Sequence, residues 1–317
     1  MQADFLTGLI ETQDPLELIF NELTERYWSE GVFSGYDQTG GMESYLEDQE
    51  HLVSEFERKL WDVCFDMYAL FETDHKRKHR IEELLRAAEY TLVVFDGLSL
   101  REIPAVRAVL SELGLKSSTD FALSTVPSDT TVFAQQHFHA SGPAAMAKGR
   151  GLLESQFAFE HVMRQDWEPD FKPEHRRRVI WAMYPDNVFR LAPGSVSYTK
   201  HILEPIQSIL RTVLNGDAPT PLIVTADHGY IWQGGNTAWA LEPRDTRLLA
   251  AHFKRTRCTK QATRELAHSQ ACWVSGRQAA ARGRFAWGAK VKGAPVLYTH
   301  GGVSLMECIV PWVSVGP

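Results

Sequence analysis

The chain of 317 residues is 44% hydrophobic and 23% charged, with a formal net charge of −7. These are ordinary values for a globular protein with a sizeable core. No apolar run approaches the roughly 20 residues of a membrane helix, so no membrane partner is expected, and the acidic balance argues against a basic footprint over the whole chain while leaving local basic clusters open.

The amino terminus, MQADFLTGLIETQDPLELIF, shows no basic segment followed by an apolar core and a small-residue cleavage site, which makes the cytoplasm the expected location. In chain order, DPLELIFNELTERYW and the segment from Met42 to Ala88 carry apolar residues at helical spacing, as in Leu52, Phe56, Leu60, Cys64 and Tyr68. SEGVFSGYDQTGG, between them, reads as a loop because of its glycines and serines. DHKRKHRIEELLRAA reads as a solvated helix face, with a phosphate-binding patch as the alternative. Cys64, Cys258, Cys272 and Cys308 are scattered, at neither metal-knuckle nor redox-motif spacing, and fit reduced, mostly buried thiols.

Near residue 88 the pattern changes to short β-branched runs alternating with helical segments. Strands are expected at 91–95, 121–125, 178–183, 221–226, 271–275 and 295–299, and helices at Ile103–Leu113, Thr130–Phe138, Gly151–Val162 and Lys200–Leu214. APGS and LNGDAPTP read as connecting loops. This is the signature of an α/β fold with a mostly parallel sheet flanked by helices. The expected division is a helical accessory region, 1–88, followed by an α/β domain, 89–317.

Open α/β sheets bind ligands at the carboxyl ends of their strands. TLVVFDGLSL delivers Asp96 and Gly97 there, PLIVTADHGY delivers Asp227, His228 and Gly229, and PVLYTHGGVS delivers His300, Gly301 and Gly302. Mixed carboxylate and imidazole donors suit zinc or manganese, and glycine lets the backbone turn sharply beside them. Singly, each has a plain explanation, an aspartate as a helix cap or a histidine in a turn. Together they point to a site. FALSTVPSDTTVFAQQHF runs from a strand into a helix beginning near Thr130, where a hydroxyl can coordinate a metal and attack phosphorus. Ser128, Asp129, Thr130 and Thr131 are equally good caps.

The order Asp96, VPSDTT, TADHG and then HGGVSLMECIVPW resembles the PglZ domain, a branch of the alkaline phosphatase superfamily, over about residues 88–313. The ending is its most specific part. The resemblance implies an alkaline-phosphatase-like fold and a phosphoesterase with two divalent ions, zinc or manganese. Carried over by position, it implies Asp96 as a ligand, Thr130 as nucleophile and ligand, Asp227 and His228 as ligands of the activating ion, and His300 as a ligand of the second. Thr130 is preferred to Thr131 because PSDT matches the family's pattern, and Thr131 becomes a substrate contact.

One departure stands out. The superfamily holds its second ion with an aspartate and a histidine about four residues later, whereas YPDNVFRLAPGS supplies Asp186 and then Arg190, which cannot coordinate a cation. Either the second site is incomplete or Arg190 contacts a substrate phosphate, with a structural ion pair as the plain alternative. His201 is not counted as a ligand, and His137 and His139 read as surface or capping residues. Arg176, Arg177 and Arg178, and then Arg277, Arg282, Arg284, Lys290 and Lys292 with Phe285 and Trp287 interleaved, read as a solvated face and loop or, more sharply, as a groove for single-stranded nucleic acid. Glu307 matches the family's glutamate without an assigned role.

The expected function is a metal-dependent phosphodiesterase acting on nucleotides, nucleic acid or a cyclic oligonucleotide, in phage defence or nucleotide signalling. The alternative is a catalytically weak scaffold module among defence proteins. A homodimer is the candidate assembly.

Overall fold

The computed structural model describes residues 3–63, 65–149, 157–172, 174–191, 196–215, 220–254, 256–288, 290–291 and 294–316. The central sheet contains β1 (Tyr90–Phe95), β2 (Ser117–Leu123), β3 (Ala158–Val162), β4 (Arg177–Ala182) and β5 (Leu222–Ala226), and it is completed by β13 (Ile309–Val315) in the order β2-β13-β5-β1-β4-β3. β3, β4, β1 and β5 pair in parallel, while β13 runs antiparallel to both β5 and β2. Every residue of β1 and β5 is buried, as expected of strands covered on both faces. The mostly parallel sheet, its helices Ile103–Glu112, Thr130–Phe138 and Glu204–Leu214, and a helical amino-terminal region are those expected from the sequence. No helix among the described residues is long and apolar enough to cross a membrane.

Smaller pairings complete the chain. β6 (Ile231–Trp232) pairs with β12 (Tyr298–Thr299), and β10 (Lys290–Val291) with β11 (Ala294–Pro295). β7 (Cys258–Thr259), β8 (Cys272–Ser275) and β9 (Gln278–Ala281) form an antiparallel sheet ordered β7-β9-β8. The expected strands 271–275 and 295–299 therefore lie outside the parallel sheet, the second split into two short pieces. Local periodicity reports an extended chain and not its partner.

Three further expectations are corrected. Residues 158–162, read as the end of a helix, are strand β3, in parallel register with Arg178–Ala182. Tertiary pairing overrides the spacing of so short a run; the rest of that expected helix, 151–156, lies outside the described residues. SEGVFSGYDQTGG is not a loop but helix Glu30–Thr39. Ser29 Oγ accepts from Val32 N, Gly40 closes the helix at φ 68°, and Phe33 and Tyr36 pack on the ring of Tyr45. Caps and aromatic packing outweigh the low propensity of its two internal glycines.

Arg77, placed on a solvated face by its charged neighbours, is buried. Its guanidinium meets Asp14 and Asp74 at 2.7 Å and Glu17 at 2.5 Å, and lies 4.2 Å above the ring of Phe121.

The longest amino-terminal helix, Met42–Val63, inserts two carboxylates into the protein. Glu50 and Glu57, seven residues and so two turns apart on one face, are fully buried. Glu50 accepts from Arg101 Nε at 2.9 Å and Arg284 Nη1 at 2.5 Å. Glu57 accepts from Arg284 Nε at 3.0 Å, Tyr68 Oη at 2.9 Å and Leu305 N at 2.8 Å. Burial pushes Glu50 up, and Arg101 and Arg284 more than reverse it, holding its carboxyl below the ordinary range. Buried charge persists only when paired in this way.

The same contacts correct the reading of a solvated face and loop for several of the basic and aromatic residues, and those residues are equally unavailable to the alternative, a nucleic-acid groove. Arg284 is spent on Glu50 and Glu57, Phe285 is buried against Trp61 and Trp239, Arg282 lies over Trp61 and Trp273, and Trp287 packs on Phe253. Arg178 is likewise buried, over the ring of Phe171. Lys292 lies outside the described residues, as does Cys64. Cys258, Cys272 and Cys308 are free thiols.

Candidate functional site

Because β1, β4, β5 and β2 point the same way, their carboxyl ends gather at one edge of the sheet, and the chain enters β13 from that edge. Asp96 follows β1, Asp227 and His228 follow β5, and all three are buried, with one ligand atom from each within 4.8 Å of the others. Asp96 Oδ1 is 3.4 Å and Asp227 Oδ2 3.6 Å from His228 Nε2. Asp227 Oδ1 accepts from the amides of Gly97 at 3.1 Å and His228 at 3.0 Å. Among the described residues, Asp96 Oδ2 and Asp227 Oδ2 are buried without a hydrogen-bond partner.

His228 Nδ1 lies 2.9 Å from the carbonyl of Gly229. A carbonyl only accepts, so Nδ1 carries the proton and Nε2 is the nitrogen offered to the carboxylates. Two carboxylate oxygens without hydrogen-bond partners around one imidazole nitrogen, which can exchange its proton for a metal, form a donor set suited to a divalent cation.

Helix Thr130–Phe138 brings the hydroxyl. Its capping residue is Asp129, whose Oδ1 accepts from Thr131 N at 2.9 Å and Val132 N at 3.2 Å. With the cap supplied, Thr130 Oγ1 is left for the cluster, 3.1 Å from His228 Nε2 and 3.4 Å from Asp96 Oδ1. Thr131 is exposed one residue further on. Ser128 Oγ donates to the carbonyl of Gly302 and accepts from Gly301 N, joining this loop to the histidine turn.

His300 stands on that turn, its Nδ1 3.2 Å from the carbonyl of Ser128 and its Nε2 3.3 Å from Asp186 Oδ1. Asp186 begins helix Asp186–Leu191, and its amide donates to the carbonyl of Asp96 at 3.0 Å. Arg190, one turn later, places Nε 2.5 Å from Asp186 Oδ2. Burial alone would raise the Asp186 carboxyl, but His300, His228 and Arg190 hold it well below the usual carboxylate range. Beside this pair opens a cleft of about 160 Å³, lined by Asp129, Phe189, Arg190, Tyr298 and His300.

Glu307 acts on the turn from behind. Fully buried, it accepts from Gly302 N at 2.7 Å, Arg257 Nε at 3.0 Å and Ser304 Oγ at 2.7 Å. Of the glycines that follow the ligand-type residues, Gly97 and Gly301 take left-handed backbone, at φ 89° and 99°, as a sharp turn beside a ligand requires, whereas Gly229 and Gly302 are required by close packing of the chain on itself. A Cβ on Gly229 would sit 2.1 Å from the carbonyl oxygen of Met306, and one on Gly302 would sit 2.6 Å from Arg257 Nε.

The structure thus brings Asp96, Thr130, Asp227 and His228 together, with Asp186, Arg190 and His300 alongside. His137 is buried against Phe133 and Glu82, which corrects the surface reading, while His139 occupies the left-handed position that ends the helix. His201 Nδ1 accepts from Ser197 N. Asp129 is the helix cap, one of the residues that the sequence offered for that role, whereas the bridging of Ser128 to the histidine turn and the contact of Arg257 with Glu307 were not anticipated.

No family model matches the chain, and no curated protein matches it. Solved structures that align with it include murine ectonucleotide pyrophosphatase/phosphodiesterase 5, at 11% identity and a TM-score of 0.45 over 72% of this chain and 88% of that one. Phosphonoacetate hydrolase from Sinorhizobium meliloti, in complex with phosphonoformate, aligns at 13% identity and a TM-score of 0.40 over 71% of this chain and 89% of that one. At these values the likeness is one of broad outline, and the chemistry of the site rests on its own geometry.

Proposed function

We propose that the protein is a divalent-metal-dependent phosphoesterase of the alkaline phosphatase superfamily, PglZ-like, with Thr130 as nucleophile and a phosphodiester of a nucleotide or nucleic acid as substrate. One observation carries the proposal: the Thr130 hydroxyl faces His228 Nε2 and Asp96, where buried carboxylate oxygens of Asp96 and Asp227 lack hydrogen-bond partners among the described residues.

Asp96, Asp227 and His228 would hold the ion, zinc being favoured by the mixed oxygen and nitrogen donors. A bound divalent ion supplies charge that favours the deprotonated hydroxyl and offsets charge on the phosphate oxygens. In the chain itself, Asp129 caps the helix and so frees Thr130. Its Oγ1, having given up its proton, would form the new bond to phosphorus as the bond to the leaving alcohol's oxygen breaks and that oxygen takes up a proton. Water would then cleave the threonine–phosphorus bond to release the phosphomonoester and restore the hydroxyl. Asp186 and His300 are the pair that the PglZ resemblance assigns to a second ion, and Arg190 already lies against them. Residues 1–88 support the 89–317 domain through Glu50 and Glu57. The PglZ resemblance supports a setting in phage defence or nucleotide signalling.

The test is hydrolysis of an activated phosphodiester with added zinc or manganese, comparing the wild type with Thr130→Ala and His228→Ala. Loss in both variants is expected; metal-independent turnover, or turnover unchanged in both, would overturn the mechanism. The contact of Arg190 with Asp186 favours a second reading, a scaffold module with weak or no catalysis. Absence of turnover in the zinc-loaded wild type, with partner binding retained, would select it.

A further inference from the structure

We infer that Arg190 is a built-in cation whose guanidinium takes the place of a second divalent ion, so that the centre works with one bound ion and one arginine. The inference rests on the metal-dependent reading above and narrows it.

The two halves of the cluster differ in what neutralises them. Among the described residues, the ion pairs of Asp96 and Asp227 are with His228 alone. Asp186 lies between His300 Nε2, 3.3 Å from Oδ1, and Arg190 Nε, 2.5 Å from Oδ2. The carboxylate that a second ion would need is thus already against a fixed positive charge.

The position of Arg190 explains how. Residues four apart on a helix share a face, so the side chain at 190 reaches the same carboxylate as a ligand at that position would. A histidine there would present a neutral nitrogen to a cation. An arginine presents a charge that it does not give up and no lone pair to donate.

Charge balance points the same way. Asp96, Asp186 and Asp227 together carry three negative charges, which one divalent ion and one guanidinium cancel when both imidazoles are neutral. A second ion on Asp186 would leave an excess of two positive charges and set a cation beside the guanidinium. Arg190 also has the access that the role requires: its side chain is 57% exposed and lines the cleft with His300. Of five N–H donors, Nε faces Asp186, and the others remain able to bind two oxygens of a phosphate.

The experiment counts zinc. Wild type, Arg190→His and His228→Ala are stripped with a chelator, exposed to excess zinc and desalted, and zinc per chain is measured by elemental analysis beside a thermal melt that verifies folding. One zinc in the wild type, two in Arg190→His and none in His228→Ala are expected, with wild-type diester hydrolysis saturating at one equivalent. Two zinc ions in the wild type, or one in Arg190→His, would overturn the role of the arginine while leaving the metal centre standing. A wild type that retains no zinc, or a His228→Ala variant that keeps its zinc, would sink the metal-dependent reading as well.

Discussion

The imidazole rings of His228 and His300 lie face to face, with centroids 3.9 Å apart and planes 7° from parallel. Each holds Nδ1 near a backbone carbonyl and turns Nε2 toward carboxylates, Asp96 and Asp227 for one and Asp186 for the other. Two rings so stacked repel when both are protonated, and a cation binds Nε2 of His228 only after that nitrogen has given up its proton.

Zinc binding should therefore release protons. Burial lowers His228, but Asp227 and Asp96 more than reverse it and take it up to about 10; burial, with Asp96 adding to it, raises Asp227 to about 7. Both shifts are upward, so the stability they contribute to the metal-free fold is present below the ordinary values of 6.5 and 3.8 and is lost as pH rises through about 10 and about 7. Zinc competes with those protons, and its affinity should rise between about pH 6 and about pH 9. Calorimetry in buffers of different ionisation enthalpy reads the release directly. An affinity flat across that range would be inconsistent with these ligands.

Thr130→Ala should lower kcat for an activated diester by roughly 10³-fold or more, and Thr131→Ala by no more than a few-fold. The difference arises because Asp129 supplies the cap, leaving Thr130 free to face His228. Equal losses in the two variants would reassign the nucleophile.

Glu50→Ala should destabilise the protein by about 3–5 kcal/mol, the usual cost of leaving buried charge uncompensated. Arg101 and Arg284 both depend on that carboxylate. Urea unfolding measures the loss, and a value under about 1 kcal/mol would mean that the pair behaves as if exposed.

Gly229→Ala introduces a methyl 2.1 Å from the carbonyl oxygen of Met306, where the amide of Gly229 already donates to the carbonyl of Glu307. The end of β5 must shift, at a cost of about 1–3 kcal/mol, and His228 shifts with it. Zinc affinity should fall at least about tenfold, equivalent to about 1.4 kcal/mol. Wild-type affinity in this variant would show that the segments separate without disturbing His228.

Ser29→Ala should cost about 1 kcal/mol through loss of the helix cap, with Ser29→Asp restoring it. Matched denaturant titrations decide this, and a neutral alanine variant would mean that aromatic packing alone holds the helix.

Much of the sheet was legible because buried strands announce themselves as apolar β-branched runs and ligand-type residues interrupt them abruptly. Asp96, Asp227 and His228 stand out for that reason, and so does the helix start at Thr130. The segment 29–41 was not legible, since its glycines argue against a helix that Ser29, Gly40 and contacts to Tyr45 nevertheless hold. Strand β3 was missed because five residues carry too short a period to separate strand from helix.

The sequence by itself determined which side chains each strand delivers and in what order, since those are properties of local runs and of spacing. Only the tertiary structure decided how they are used. Whether Thr130 caps a helix or faces His228 depends on Asp129 taking the cap. Whether Glu50 and Glu57 face water or the interior depends on arginines far along the chain. Whether Arg190 is free depends on where Asp186 comes to rest. A charge has no preferred surroundings until its partners are in place, and those partners are set by packing between segments distant in sequence.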